Sequence, residues 1–274
     1  MDIGRLGLWQ GGTWAEFRKP EVLAELEELG IGAVWLGGSP PADLKIPERL
    51  LSTSSKLVVA TGIVNVWDAP PEVAAASYAR LSAYSDRLIL GIGAGHRSMV
   101  GDAYTKPYEK LVSYLDGLDA GGVPVAGRAL AALGPKVLRL AADRTAGAHP
   151  YLVTPEHTAQ AREILGSDTL LMPEQKVVLS TDPDTARALA RKRLHTYLTL
   201  PNYTNNWLRL GFTDDDLAGG GSDRLVDSMV AWGDEDAIRT RIEAHRAAGA
   251  DHVALQVLNR DKLGALRKLA PALT

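Results

Sequence analysis

The chain has 274 residues, 46% of them hydrophobic, and a formal net charge of −3. That length supports one large domain with a sizeable core, and the near-balanced charge offers no surface for nucleic acid. With no cysteine, the chain has no disulfides, thiolate nucleophiles or cysteine-held iron–sulfur clusters.

The opening Met1-Asp-Ile-Gly-Arg-Leu-Gly7 carries charge and no long apolar core, so it is not expected to be a signal peptide. No apolar run approaches the ~20 residues of a membrane helix, and a cytoplasmic protein without membrane contact is expected.

Short apolar strands alternate with amphipathic helices, which predicts a parallel sheet with helical crossovers. The first strand is predicted at Arg5–Trp9. A helix follows Pro20-Glu21, with Val22, Leu23, Leu26 and Leu29 at helical spacing, and stops at Gly30. The second strand, Ala33–Leu36, ends in Gly37-Gly38, and a helix near Ile46–Ser55 leads to the third, Leu57–Val64. Pro70-Pro71 opens an alanine-rich helix to about Ser85. The fourth strand is Arg87-Leu-Ile-Leu-Gly-Ile-Gly-Ala-Gly-His96, followed by a helix over Tyr108–Leu118.

A fifth strand is predicted at Ala129–Leu133. Gly134-Pro135 then starts a helix, with proline suited to the first turn. The sixth strand is predicted at Ala148–Val153 and the seventh at Lys176–Ser180, with helix starts at Pro155-Glu156 and Asp182-Pro-Asp. A helix over Glu235–Ala248, the eighth strand His252–Leu258 and a last helix complete the pattern. Thr199–Ala231 breaks this rhythm and reads as an insertion of one or two short helices without its own core.

Eight such units predict a (β/α)8 TIM barrel of ~250 residues, whose site lies at the C-terminal strand ends. Those ends are Trp9-Gln10, Gly37-Gly38-Ser39, Gly62–Asn65, Gly93–His96, Leu133-Gly134 and Thr154. They are rich in glycine and poor in charge, as suits close approach of backbone to a ligand. The six histidines form no HxH or HExxH pair, so no metal site is expected. No GxSxG elbow is present. Gly91-Ile-Gly-Ala-Gly95 fails the GxGxxG register, and its strand is fourth instead of first. It serves either tight strand packing or backbone approach to a cofactor. His96 follows those glycines and is the candidate catalytic residue, by proton transfer or by cofactor contact. Trp9 is a core residue or stacks on a ring.

Ala60-Thr-Gly-Ile-Val-Asn65 with Pro70-Pro71, Leu88–His96 and Ala131-Ala-Leu-Gly-Pro135 resemble the third-, fourth- and fifth-strand motifs of the luciferase-like flavin and deazaflavin oxidoreductases. Thr181-Asp-Pro-Asp-Thr-Ala-Arg187, Leu200-Pro-Asn-Tyr203, Leu210-Gly-Phe212, Val230-Ala-Trp-Gly233 and Ala248-Gly-Ala-Asp-His-Val253 continue the likeness over nearly the whole chain. The nearest resemblance is to the branch that uses coenzyme F-420, a deazaflavin hydride carrier.

The resemblance implies a single luciferase-like TIM-barrel domain over residues 1–274, with the insertion at about 199–231 after the seventh strand. It implies a flavin-type ring at the barrel mouth and a non-proline cis peptide at Gly62–Ile63 behind it. Trp9, Gly38, Ser39, Gly62, Ile63, Val64, Gly93, Gly95, His96, Leu133, Gly134 and Pro135 would bind the cofactor. The resemblance is also compatible with a homodimer.

Two family features are missing. Gly37-Gly38-Ser39 stands where some relatives carry Asp-His, and His96 stands where a carboxylate is common. The acid and base roles of the sugar-phosphate dehydrogenases therefore do not transfer, and no cluster of Lys and Arg for a phosphorylated substrate is evident. The expected function is hydride transfer between coenzyme F-420 and a small organic substrate. The alternatives are a monooxygenase using reduced FMN and a non-catalytic flavin- or deazaflavin-binding protein.

Overall fold

The computed structural model of the chain describes residues 1–12 and 16–273. Its strands are β1 (Leu6–Gln10), β2 (Ala33–Gly37), β3 (Val58–Gly62), β4 (Val64–Asn65), β5 (Leu88–Gly93), β6 (Arg128–Leu130), β7 (Gly147–Ala148), β8 (Leu170–Leu171), β9 (Glu174–Leu179), β10 (Val230–Gly233) and β11 (Val253–Val257). They lie in the order β10-β9-β11-β1-β2-β3-β5-β6-β7-β8, with β4 beside β5, and every pairing is parallel. β8 and β9 are separated only by Met172-Pro173. The Met172 and Glu174 amides bond back to Ala148 and Pro150, while Ala254 donates to the Pro173 carbonyl. One stretch of chain thus joins β8, at one end of the sheet, to β9, next to its other end, so the sheet curls back on itself.

Strand alternation builds two cores. Val34 and Leu36 of β2, Val59 of β3, and Leu88, Leu90 and Ile92 of β5 face the helices. Ala33 and Trp35, Val58 and Ala60, and Ile89 face inward, together with Ala129 and Ala254. The small inward residues leave room for the indole of Trp35. That ring stacks on His149 with centroids 3.9 Å apart and donates to His252 Nε2 at 3.1 Å. Gly7 belongs to the same arrangement, because a Cβ there would meet His252 Nε2 at 2.3 Å.

Several sequence expectations need correction. The fifth and sixth strands are shorter than predicted: paired register ends at Leu130 and Ala148, and after one further amide bond each, from Ala131 to Ile92 and from His149 to Leu130, the chain continues as loop. The seventh starts earlier, at Glu174, since its charged residues are paired inside the sheet. The helix after Pro70 ends at Arg80 and continues as a single 3-10 turn over Ser82–Tyr84.

The stretch expected to hold one or two short helices holds three, Pro201–Arg209, Asp214–Leu217 and Asp223–Met229, and then β10. It is not coreless. Leu200, Tyr203, Trp207, Phe212, Leu225 and Val226 are buried in the inner cluster, and Trp207 Nε1 donates to the Leu152 carbonyl at 3.2 Å. Arg187 and Arg191 of the helix Pro183–Leu194 hold it from outside through Asp223 and Asp227.

Candidate active site

Two adjoining hollows, of about 380 and 400 Å³, open among the C-terminal strand ends and share Ile63, Gly95, His96, Ala131, His149, Tyr151 and Tyr203. The first runs toward Leu133, Gly134 and Lys136, with Gly93 in its wall. The second runs toward Trp9, Gly38, Ser39, Gly62, Arg193 and Tyr197. Ten of the sequence-predicted residues therefore line one hollow or both. Two do not. Val64 is buried and packs toward the helices, and Pro135 is an exposed residue in the first turn of its helix.

The Gly62–Ile63 peptide is cis, at the residues expected from the resemblance. Beside it, two buried polar atoms have no partner: Trp9 Nε1 and His149 Nε2. A Cβ on Gly62 would stand 3.0 Å from the first and 3.8 Å from the second. His149 Nδ1 is 2.6 Å from the Met172 carbonyl and therefore carries the ring proton, which leaves Nε2 as an acceptor. Burial lowers this imidazole to about 3, so it stays neutral. The hollow thus offers one unpaired donor and one unpaired acceptor. Buried polar groups are otherwise almost always paired, so this pair suits a ligand whose edge carries both kinds of group.

The glycines of the fourth predicted strand have distinct reasons. A Cβ at Gly91 would collide with the Thr61 carbonyl at 1.9 Å, so Gly91 serves strand packing. At Gly93 it would press on Ile63, behind the cis peptide. Gly95 has φ +59, and its Cβ would meet the Asn65 amide. Gly95 is thus required by backbone conformation and by Asn65, in addition to lining both hollows.

His96 is half-buried. Burial lowers its imidazole, against a hydrogen bond to Asn202 that acts in the opposite direction. Its ring lies 5.6 Å from that of Tyr203. A neutral imidazole fixed in this way is better suited to orienting a ligand than to delivering a proton.

Beneath the hollows lies a group that the sequence reading missed. Lys176 Nζ is 3.1 Å from both carboxylate oxygens of Glu174, and both side chains are wholly buried. The ammonium also sits 3.7 Å from the centroid of the Tyr151 ring. Burial lowers Lys176 and raises Glu174, while each charge opposes the shift of the other. Tyr151 donates to Gln256 Oε1 at 2.9 Å, so the 2.9 Å contact between the Tyr151 and Tyr197 hydroxyls uses the Tyr197 proton. The signal for this group was present: Glu174 and Lys176 interrupt an apolar strand, one residue apart and on the same side of it.

No protein-family profile matches the chain, and no curated protein matches its sequence. Solved structures do match its shape. A secondary alcohol dehydrogenase dependent on coenzyme F-420, bound to a cofactor–acetone adduct, superposes with TM-score 0.74 at 14% identity, over 99% of each chain. The chain shares the fold of this enzyme. The likeness extends to the F-420-dependent tetrahydromethanopterin reductase of Methanopyrus kandleri, with TM-score 0.71 at 14% identity over 100% of this chain and 99% of that one. A Baeyer–Villiger monooxygenase component from Pseudomonas putida in complex with FMN, the 3,6-diketocamphane enzyme, gives 0.68 at 15% identity over 99% of each. Chains of this shape thus include proteins that use coenzyme F-420 and one that binds FMN. Among the described residues no cluster of His, Cys, Asp and Glu could hold a metal, and no helix is long and apolar enough to cross a membrane.

Proposed function

We propose that the protein is an oxidoreductase that binds coenzyme F-420 across the two hollows and exchanges hydride between it and a small organic substrate. The observation that carries this reading is the unpaired donor–acceptor set of Trp9 Nε1 and His149 Nε2 beside Gly62. The rim of a flavin-type ring carries alternating acceptors and donors and is flat enough for a wall of Gly62 and Ile63. The first hollow, past Gly93 and Gly134, would take the cofactor's side chain.

When bound, the deazaflavin supplies a carbon centre that gives or takes hydride. The chain's own residues hold and orient. Trp9 and His149 fix the ring edge, and His96, held by Asn202, orients a ligand at the junction of the hollows. Tyr151, Tyr197 and Tyr203 wall off water on the substrate side. Tyr197 also lines the second hollow, and because its proton goes to Tyr151 its oxygen is left to accept from a substrate hydroxyl.

The likeness to the FMN-bound monooxygenase component supports a second reading, oxygen activation on reduced FMN. Titration of the purified protein with coenzyme F-420 and with FMN, followed by absorbance and fluorescence, separates the two.

A further inference from the structure

We infer that the second hollow takes, beside the ring edge held by Trp9 and His149, an organic carboxylate and that Arg193 is its anchor. This deepens the proposed function, since it names the substrate class for the same site.

The helix Pro183–Leu194 carries several cations, and they are used differently. Arg187 pairs with Asp223 and Asp227, and Arg191 with Asp223. Arg193 makes no ion pair or hydrogen bond with any described residue, and its Nε is buried without a partner. Its guanidinium reaches across to the end of β1. A Cβ at Gly11 would stand 3.0 Å from Arg193 Nη2 and 3.0 Å from the Trp9 indole.

Among the described residues no carboxylate pairs with it. Glu174 senses the charge of Arg193, but its oxygens already accept from Lys176 and from the Leu152 amide. The Glu174–Lys176 pair is neutral as a unit, so the hollow keeps the net positive charge of Arg193, with exposed Lys192 at its rim. A half-buried guanidinium without a partner favours an anion. Its planar fork matches a carboxylate through two parallel hydrogen bonds. The surrounding walls, Trp9, Tyr151, Tyr197 and Leu200, are largely apolar. The complementary ligand has an apolar or aromatic body with one carboxylate at its end.

Benzoate and benzamide have the same shape and differ in charge, so they test this by calorimetric titration of the cofactor-free protein. Benzoate is expected to bind about tenfold or more tightly than benzamide, as suits a charged hydrogen bond in a partly dry site, with the advantage shrinking in salt. Arg193→Gln should reduce the advantage to about twofold or less, and Arg193→Lys should keep part of it. Equal binding of the two probes to the wild type overturns the inference. So does a folded Arg193→Gln variant that still prefers benzoate. A third arm repeats the benzoate titration with coenzyme F-420 present. Loss of benzoate binding there would assign Arg193 to the cofactor's own anionic groups and also overturn the inference, whereas retained binding is expected. Because the first arms use no cofactor, failure of coenzyme F-420 to bind would count against the proposed function without altering their result.

Discussion

The hydroxyls of Tyr151 and Tyr197 meet at 2.9 Å across 46 residues of sequence. One follows β7 and the other precedes the helix Pro201–Arg209, so the bond ties a strand end to the segment whose Leu200, Asn202 and Tyr203 line the hollows. Its direction is fixed by Gln256, which accepts from Tyr151.

This asymmetry gives an order of costs. Tyr197→Phe removes one hydrogen bond and leaves Tyr151 bonded to Gln256, with an expected loss of about 1 kcal/mol. Tyr151→Phe leaves both Gln256 and Tyr197 without their partner, with an expected loss of about 2–3 kcal/mol. Urea unfolding of the two variants checks this. A Tyr197 variant less stable than the Tyr151 variant would show that the chain of hydroxyls runs the other way.

The buried pair under these tyrosines makes a sharper prediction. Lys176→Met strands the Glu174 carboxylate in the barrel, which should cost about 3–5 kcal/mol. Replacing both, Glu174→Leu with Lys176→Met, should recover at least half of that loss, since no charge is then left unpaired. A double variant as unstable as the single one would mean that Glu174 is held mainly by other partners.

Acid should destabilise the fold through its histidines. Burial lowers His149 and His245 to about 3 and His252 to about 4, whereas a histidine in the unfolded chain titrates near ~6.5. As pH falls, the unfolded chain takes up these protons first. Their contribution is therefore complete above ~6.5 and is lost as pH drops toward 4 and then 3. Thermal melts should show a flat midpoint from pH 7 to 8 and a steep fall from pH 6 to 4. A midpoint unchanged between pH 7 and 5 would contradict the assignment of neutral, buried imidazoles.

For His96 the expected role is orientation. His96→Ala should weaken cofactor binding by about 1–3 kcal/mol, by leaving Asn202 and the ligand without their contact. Asn202→Ala should produce a smaller change in the same direction. Equilibrium titration and single-turnover kinetics separate this from proton transfer. Unchanged affinity with hydride transfer slowed about 10²–10⁴-fold would make His96 an acid or base instead.

Much of this architecture is legible in the sequence, because its signals are local. Helix starts such as Pro20-Glu21 and Pro155-Glu156, the glycine stop at Gly30 and the apolar runs before Gly37 and Gly91 each report on a few adjacent residues. They place the strand ends, and with them Trp9, Gly62 and His96. What stays hidden comes from distant parts of the chain. Tyr151 and Tyr203 look like ordinary aromatics until the curled sheet brings them to within 6.1 Å of each other. Arg193 looks like one of several solvated cations on its helix, and only the pairing of Arg187 and Arg191 elsewhere shows that it stands alone. Gly37 looks like a ligand-facing glycine. Its real constraint is the Trp9 indole, which a Cβ there would meet at 2.1 Å.

The central claim is that the paired hollows hold a deazaflavin, and its most direct test is titration of the purified protein with oxidised coenzyme F-420, followed by cofactor fluorescence, beside a matched titration with FMN. Saturable binding of coenzyme F-420 in the micromolar range or tighter is expected, weakened in Trp9→Phe, which lacks the indole donor. Saturable binding of FMN with none of coenzyme F-420 would contradict it.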